Sequence, residues 1–308
     1  MRSLSKILLA VAAVAILAPA ALLASGVINA PLLSDDRVDA VVTIAPQQSM
    51  VESIGGDRVR VTLMVPAGQD LHSYEPTSGK LGKVSSADIY FMVGSGVEFE
   101  LTRMSTLREI NPDMAVVDCS NGITLIEQVT HHHDGHEHDH EHEGNDPHIW
   151  LSPMNLKFMA MNVFDGLVAV DPEHAEEYEQ NLQAYTQRMD SLHEMIGTEL
   201  DAHQGRGFMI FHPAWGYFAH EYGLVQIAIE QEGQEAGSSG IEDSIEEARE
   251  QGIHVIFTSP QTSVGQPEVI AEEIGGKVVV VDPLSTDLES ELLTFAKEIA
   301  KSYGQQEG

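Results

Sequence analysis

Three histidines stand in connections that follow predicted strands, each in a distinctive setting. His72 lies in Pro66-Ala67-Gly68-Gln69-Asp70-Leu71-His72-Ser73-Tyr74-Glu75-Pro76, and His148 in Asp146-Pro147-His148-Ile149-Trp150-Leu151-Ser152-Pro153. His212 opens His212-Pro213-Ala214-Trp215-Gly216-Tyr217, directly after the run Phe208 to Phe211. A carboxylate, Asp282, ends the run Val278 to Val281 in the same way, in Asp282-Pro283-Leu284. An imidazole or carboxylate can bind a metal, move a proton or simply hydrogen-bond, and taken singly each of these is more often structural. Their shared placement points elsewhere, because α/β proteins put their ligands at the carboxyl ends of strands. The single cysteine, Cys119, excludes an intrachain disulfide, a zinc ribbon and a paired-cysteine redox motif. Any metal must therefore use histidine and carboxylate.

A second constellation is denser and of a different kind. His131, His132, His133, His136, His138, His140 and His142 share the thirteen residues 131–143 with five carboxylates and no apolar side chain. Such a segment cannot anchor itself in a core, so it reads as a mobile loop that collects metal at low affinity. It is internal and interrupted by acids, unlike a purification tag. Charge agrees with a cationic partner: 16 Lys+Arg against 48 Asp+Glu give −32. Seven Lys and nine Arg spread over 308 residues offer no basic patch for phosphates, so no nucleic-acid partner is expected.

The elements that must position these residues alternate in type. Strands are expected at Val41–Ala45, Val59–Val65, Ile89–Val93 and Ala115–Asp118, with helices at Gln47–Ile54 and Ser78–Ser85. The pattern returns with strands Phe208–Phe211, Val225–Ile229, His254–Thr258 and Val278–Val281, and helices Ala214–Tyr222, Ile241–Glu250 and Pro267–Ile274. Alternation of this kind means parallel sheets built from strand-helix-strand units. The expected fold is thus α/β, with two Rossmann-like lobes, residues 31–170 and 205–308, each long enough to bury its own core. No residue-level repeat relates them. Residues 171–204 between them should form one long helix with Asp171 as N-cap and Pro172 at the first position. Its apolar residues Tyr178, Leu182, Tyr185, Met189, Leu192 and Ile196 recur three or four apart and can face both lobes. Residues 1–30 stand apart: Arg2 and Lys6 precede the 21-residue apolar run Ile7–Val27. That is an export signal or an N-terminal anchor, and either places the rest outside the cytoplasm. Without it the charge is 14 − 48 = −34.

With these motifs in this order, the chain resembles the zinc-uptake substrate-binding proteins of ABC transporters, a cluster of metal receptors that also includes manganese-binding relatives. The resemblance covers nearly all of the chain after residue 30. It rests on the turn before His72, Val-Gly-Ser-Gly-Val-Glu at Val93–Glu98, the histidine-rich loop, Asp-Pro-His-Ile-Trp-Leu-Ser-Pro, the long helix, Phe-His-Pro-Ala-Trp-Gly-Tyr-Phe, and the terminal Asp-Pro-Leu. It implies a metal held in the cleft by His72 and His148 from the first lobe and His212 and Asp282 from the second. It also implies delivery to the membrane permease of an ABC importer, in the periplasm or at the cell surface, by a protein that works as a monomer.

The chemistry of that donor set is consistent. Three neutral imidazoles and one carboxylate suit four-coordinate Zn2+, whereas Mn2+, the alternative, prefers more oxygen ligands. Leu71 stands where some zinc receptors have an acidic residue, so the fourth ligand stays open between Asp282, water and a carboxylate of the segment Glu230 to Glu235. A metal-binding adhesin is a further alternative within the family. A zinc hydrolase is disfavoured because no expected helix carries His-Glu-x-x-His, the match at His136–His140 falling in the histidine-rich loop, and there is no Gly-x-Ser-x-Gly turn. Nor is Gly233–Gly240 a phosphate loop, since it lacks the Gly-Lys-Ser/Thr ending. No catalytic residues are expected. Trp150 and Trp215 should pack the floor of the site, while His174, His193, His203, His220 and His254 should be mostly structural or solvent-facing.

Overall fold

The computed structural model describes residues 36–69, 71, 74–128, 144–230 and 236–304. The expected export segment, His72 and the histidine-rich loop 131–143 lie outside the described residues, as does 231–235. All elements below fall in one compact unit that begins at Arg37.

The first sheet contains β1 (Val38–Val42), β2 (Val59–Leu63), β3 (Ile89–Met92) and β4 (Ala115–Asp118), all parallel, in the order β2-β1-β3-β4. The second contains β5 (Gly207–Ile210), β6 (Val225–Ala228), β7 (Val255–Thr258) and β8 (Lys277–Val280) in the corresponding order β6-β5-β7-β8, again all parallel. Two α/β lobes with the same topology result. In each the chain winds both ways from the central pair, so the switch point lies between β1 and β3 in one sheet and between β5 and β7 in the other. Ligand crevices of open α/β sheets form at such points. His212 leaves β5 after Phe211, beside the second switch point.

Helices α1 (Ala45–Gly55), α2 (Ser78–Val84), α3 (Glu98–Ile110) and α4 (Pro153–Val170) belong to the first half. The second half carries α6 (Gly216–Tyr222), α7 (Ser238–Glu250), α8 (Gly265–Glu273) and α9 (Leu288–Gly304). Strand β1 is shorter at its end than the β-branched run suggests. The Gln47 side chain accepts the Thr43 N–H at 3.1 Å, which removes that donor from the ladder and turns the chain into α1. Helix α4 starts where Ser152 accepts the Asn155 N–H at 3.0 Å with Pro153 at the first position.

Between the halves runs α5 (Ala175–Leu200), 26 residues or about 39 Å long. It begins later than its sequence suggests. Asp171 closes α4, and Pro172–His174 form a 3-10 turn. The Asp171 carboxylate braces this junction from the side, accepting from His174 Nδ1 and the Tyr178 hydroxyl at 2.7 and 2.6 Å. Tyr178, Tyr185, Met189, Leu192, Ile196 and Leu200 are buried along one stripe, and Leu182 is partly buried. Asn181 Nδ2 donates to the Ile54 carbonyl at 2.9 Å in the first half, and Arg188 pairs with Glu289 at 3.2 Å in the second.

Separate cores for the two lobes are not what the structure has. One apolar core runs from Val41, Tyr90 and Phe91 of the first sheet through the buried stripe of α5 to Phe208, Phe257 and Phe295. Among the described residues a second cluster lies on the opposite face of the second sheet, where Met209, Ile227 and Ile256 pack with Ile270 of α8. The physical reason is the helix itself: a stripe that is apolar along its whole length must be covered on both sides, and each lobe covers part of it. Among the described residues no helix is long and apolar enough to cross a membrane.

Candidate metal centre

His148 is 4% exposed and enters a 3-10 turn, Ile149–Leu151. Asp146, 2% exposed, fixes it twice: the same Oδ1 accepts the His148 N–H at 2.9 Å and lies 2.7 Å from Nδ1. A carboxylate only accepts, so the proton of the neutral ring sits on Nδ1 and Nε2 carries the lone pair. The second lobe reaches over to brace Asp146. Tyr217 donates to the Asp146 carbonyl at 3.1 Å and itself accepts the Ile126 N–H at 3.2 Å. Burial pushes the Tyr217 hydroxyl up from its ordinary value, so it keeps the proton it donates. Gly216 lies so close that a Cβ there would come 2.3 Å from Asp146 Oδ2.

His212 is arranged in the same manner. Its Nδ1 is 2.6 Å from Glu230 Oε2, just beyond β6, so here too the neutral ring presents Nε2. The two imidazoles meet edge to face, with centroids 5.4 Å apart and planes at 80°. Two imidazoles on one tetrahedral zinc, with Zn–N near 2.0–2.1 Å, would have centroids about 5.2 Å apart. Carboxylates on the far nitrogen, here Asp146 and Glu230, are the usual means of orienting metal-bound histidine.

Asp282 is placed differently. Its Oδ1 accepts from Gln261 Nε2 at 2.8 Å and from the Leu284 N–H at 3.0 Å, while its own N–H donates to Glu291 at 2.7 Å. It is joined to the histidine pair through its neighbour, because Trp150 Nε1 donates to the Pro283 carbonyl at 2.7 Å and the Trp150 ring lies 5.2 Å from His148. Among the described residues no three His, Cys, Asp or Glu side chains gather as a metal-holding group. The structure therefore brings His148 and His212 together and leaves Asp282 outside a described group of three. Trp215 packs instead into the second lobe, against Phe295 at 3.8 Å. His174 and His193 are held by Asp171 and Glu221 at 2.7 and 2.6 Å.

Sequence reasoning missed the orienting roles of Asp146 and Glu230. The first was visible, since an aspartate two residues before a histidine commonly bonds that residue's N–H. The second, 18 residues from His212, had no local signal.

Two parallel-sheet lobes sharing one long helix, with an imidazole from each meeting edge to face, define a two-lobed solute receptor of the metal-binding class. The family model for the periplasmic component A of the zinc-uptake complex, ZnuA, matches residues 40–303, and the chain belongs to that family. The high-affinity zinc uptake system protein ZnuA of Bacillus subtilis (strain 168) is 30% identical over 254 residues, covering 81% of this chain and 79% of its own. Among solved structures, the crystal structure of ZnuA is 38% identical with a TM-score of 0.80, covering 87% of this chain and 99% of that one. A zinc-bound 138–173 deletion mutant of ZnuA is likewise 38% identical, with a TM-score of 0.79 over 87% of this chain and 98% of its own.

Proposed function

We propose that this protein is an extracytoplasmic zinc receptor that delivers its cargo to the membrane permease of an ABC importer, working as a monomer. The observation that carries the reading is the pair of imidazoles from opposite lobes, His148 and His212, at a spacing suited to one zinc ion and each backed by a carboxylate. His72 is proposed as the third imidazole and Asp282 as the fourth ligand; Glu230 is already committed to His212. A donor set dominated by nitrogen favours zinc over manganese. The family to which the chain belongs consists of solute-binding receptors, so the protein is not an enzyme.

Function follows from where the ligands come from. An ion held by both lobes favours whichever lobe arrangement lets all ligands reach it. The shared core and α5 keep that adjustment small, so the permease would sense loop positions near the cleft rather than a wide hinge motion. Imidazole must be deprotonated to bind, so zinc affinity should weaken as pH falls below neutrality. The loop 131–143 is proposed to hold extra, weaker equivalents that concentrate metal near the cleft.

Native mass spectrometry with elemental analysis tests this. The wild type should retain one tight zinc and His148→Ala none, while deletion of 131–143 should lower the total and spare the tight ion. Retention of a tight zinc by His148→Ala would refute the proposed site.

A further inference from the structure

The Val93–Glu98 stretch contributes no ligand, yet its geometry connects the first lobe's switch point to His148. Glu100, in the first turn of α3, is 2% exposed. Its Oε1 accepts the Val93 N–H at 2.7 Å and the Thr43 hydroxyl, and its Oε2 accepts the Gly94 N–H at 3.0 Å. Thr43 follows β1 and Val93 follows β3, so one carboxylate ties together the two chain exits that flank the switch point. Gly94 then turns with φ +84°, and a Cβ there would sit 1.7 Å from Asp118 Oδ1. Both the backbone angle and the lack of space restrict this turn to glycine.

The turn presents Ser95, which is 4% exposed and donates from Oγ to the carbonyl of Pro147. That carbonyl belongs to the peptide leading into His148. Asp146 holds the N–H of the same peptide and the ring, so the plane is gripped on its oxygen and nitrogen sides by different parts of the lobe. We infer that Ser95 is a positioning residue for His148, with Glu100 fixing the turn that presents it. The inference rests on His148 being a ligand.

The test uses the full chain, with zinc affinity measured by chelator competition and the visible absorption of bound Co2+ as a probe of ligand geometry. Ser95→Ala should weaken zinc about tenfold, in the range seen for outer partners of metal ligands, and should alter the Co2+ spectrum. Ser95→Thr, which keeps the hydroxyl, should restore both toward wild type. A hydroxyl that only packs would lower the melting temperature and leave both readouts alone; unchanged zinc affinity and Co2+ spectrum in folded Ser95→Ala would overturn the inference. Should Ser95→Ala not fold, the same two readouts on Ser95→Cys, a poorer donor of similar size, decide. His148→Ala run in parallel separates the two levels. If it loses tight zinc while Ser95→Ala changes nothing, only the positioning role fails. If it keeps tight zinc, the ligand assignment fails and this inference with it.

Discussion

Asp146 uses a single oxygen to hold both the backbone N–H and the ring Nδ1 of His148, so one side chain sets the tautomer and the rotation of the ring. Asp146→Asn keeps the size but removes the charge and half of the accepting capacity, and zinc affinity in chelator competition should fall about 10–100-fold. Unchanged affinity would mean that the ring is held by packing against Trp150 instead. Glu100 poses a different question, because burial holds its carboxyl above the ordinary 4.5 despite hydrogen bonds from Thr43, Gly94 and Val93, with Asp118 nearby adding to the rise. The folded state then binds this proton more tightly than the unfolded one. The resulting contribution is fully present below about pH 4.5 and is lost as pH rises through the folded value. The stability difference between wild type and Glu100→Gln, followed by denaturant titration across pH 4 to 8, should therefore shift against wild type as pH rises; a difference independent of pH would show that Glu100 titrates normally. Of the two imidazoles that meet, His212 was legible as the residue that follows a strand and precedes a proline, and His148 through the Asp-Pro-His-Ile-Trp-Leu-Ser-Pro stretch that holds it. Their carboxylate partners were less so, because a partner recruited from another strand, as Glu230 is, leaves no trace in local spacing.

At the scale of elements, alternation of β-branched runs with helix-like segments exposed all eight strands: central strands such as β3 and β7 are buried and largely apolar, while edge strands such as β2 and β8 are only partly buried and were marked by β-branched residues. Helices were less evenly legible. Helix α4 buries one face through Leu156, Met159, Ala160, Val163 and Leu167, but its sequence hides that period because the other face also carries large apolar residues, Phe158 and Met161, which are exposed. Helix α9 does have that period, with Leu288, Leu292, Phe295, Ala296, Ile299 and Tyr303 buried, so its sequence carries a readable signal although no helix was expected beyond Ile274. The stripe on α5 was the most informative, but its consequence for the core emerges only in three dimensions. Met189 lies fully buried in that stripe. Met189→Ala should cost about 2–5 kcal/mol. Calorimetry should then show one transition at lower temperature, because the core beneath α5 is continuous between the lobes. A thermogram split into two peaks would mean that the lobes unfold independently.

Across the whole molecule, charge outweighs every other long-range effect. Acids outnumber Lys and Arg by 48 to 16, so at least 32 carboxylates have no Lys or Arg to pair with, whatever the fold. Salt acts on two opposed contributions. It weakens ion pairs such as Arg58–Glu177, Arg188–Glu289 and Lys301–Glu298, but these are solvent-exposed and worth about 0–1 kcal/mol each. It also screens the mutual repulsion of the excess carboxylates, which opposes the compact state and acts over about 10 Å at 0.1 M salt but only about 3 Å at 1 M. With a three-to-one imbalance, repulsion outweighs pairing, so the melting temperature of the metal-free protein should rise with added NaCl. Screening has a signature that separates it from general salting-out: most of the gain should come at low concentration and then level off, whereas exclusion of salt from the surface grows steadily with concentration. The same field draws divalent cations toward the cleft, so zinc association measured by stopped flow should slow over the range in which the protein is being stabilised. A melting temperature that fell with NaCl would show that the few ion pairs, rather than the surplus of negative charge, govern stability.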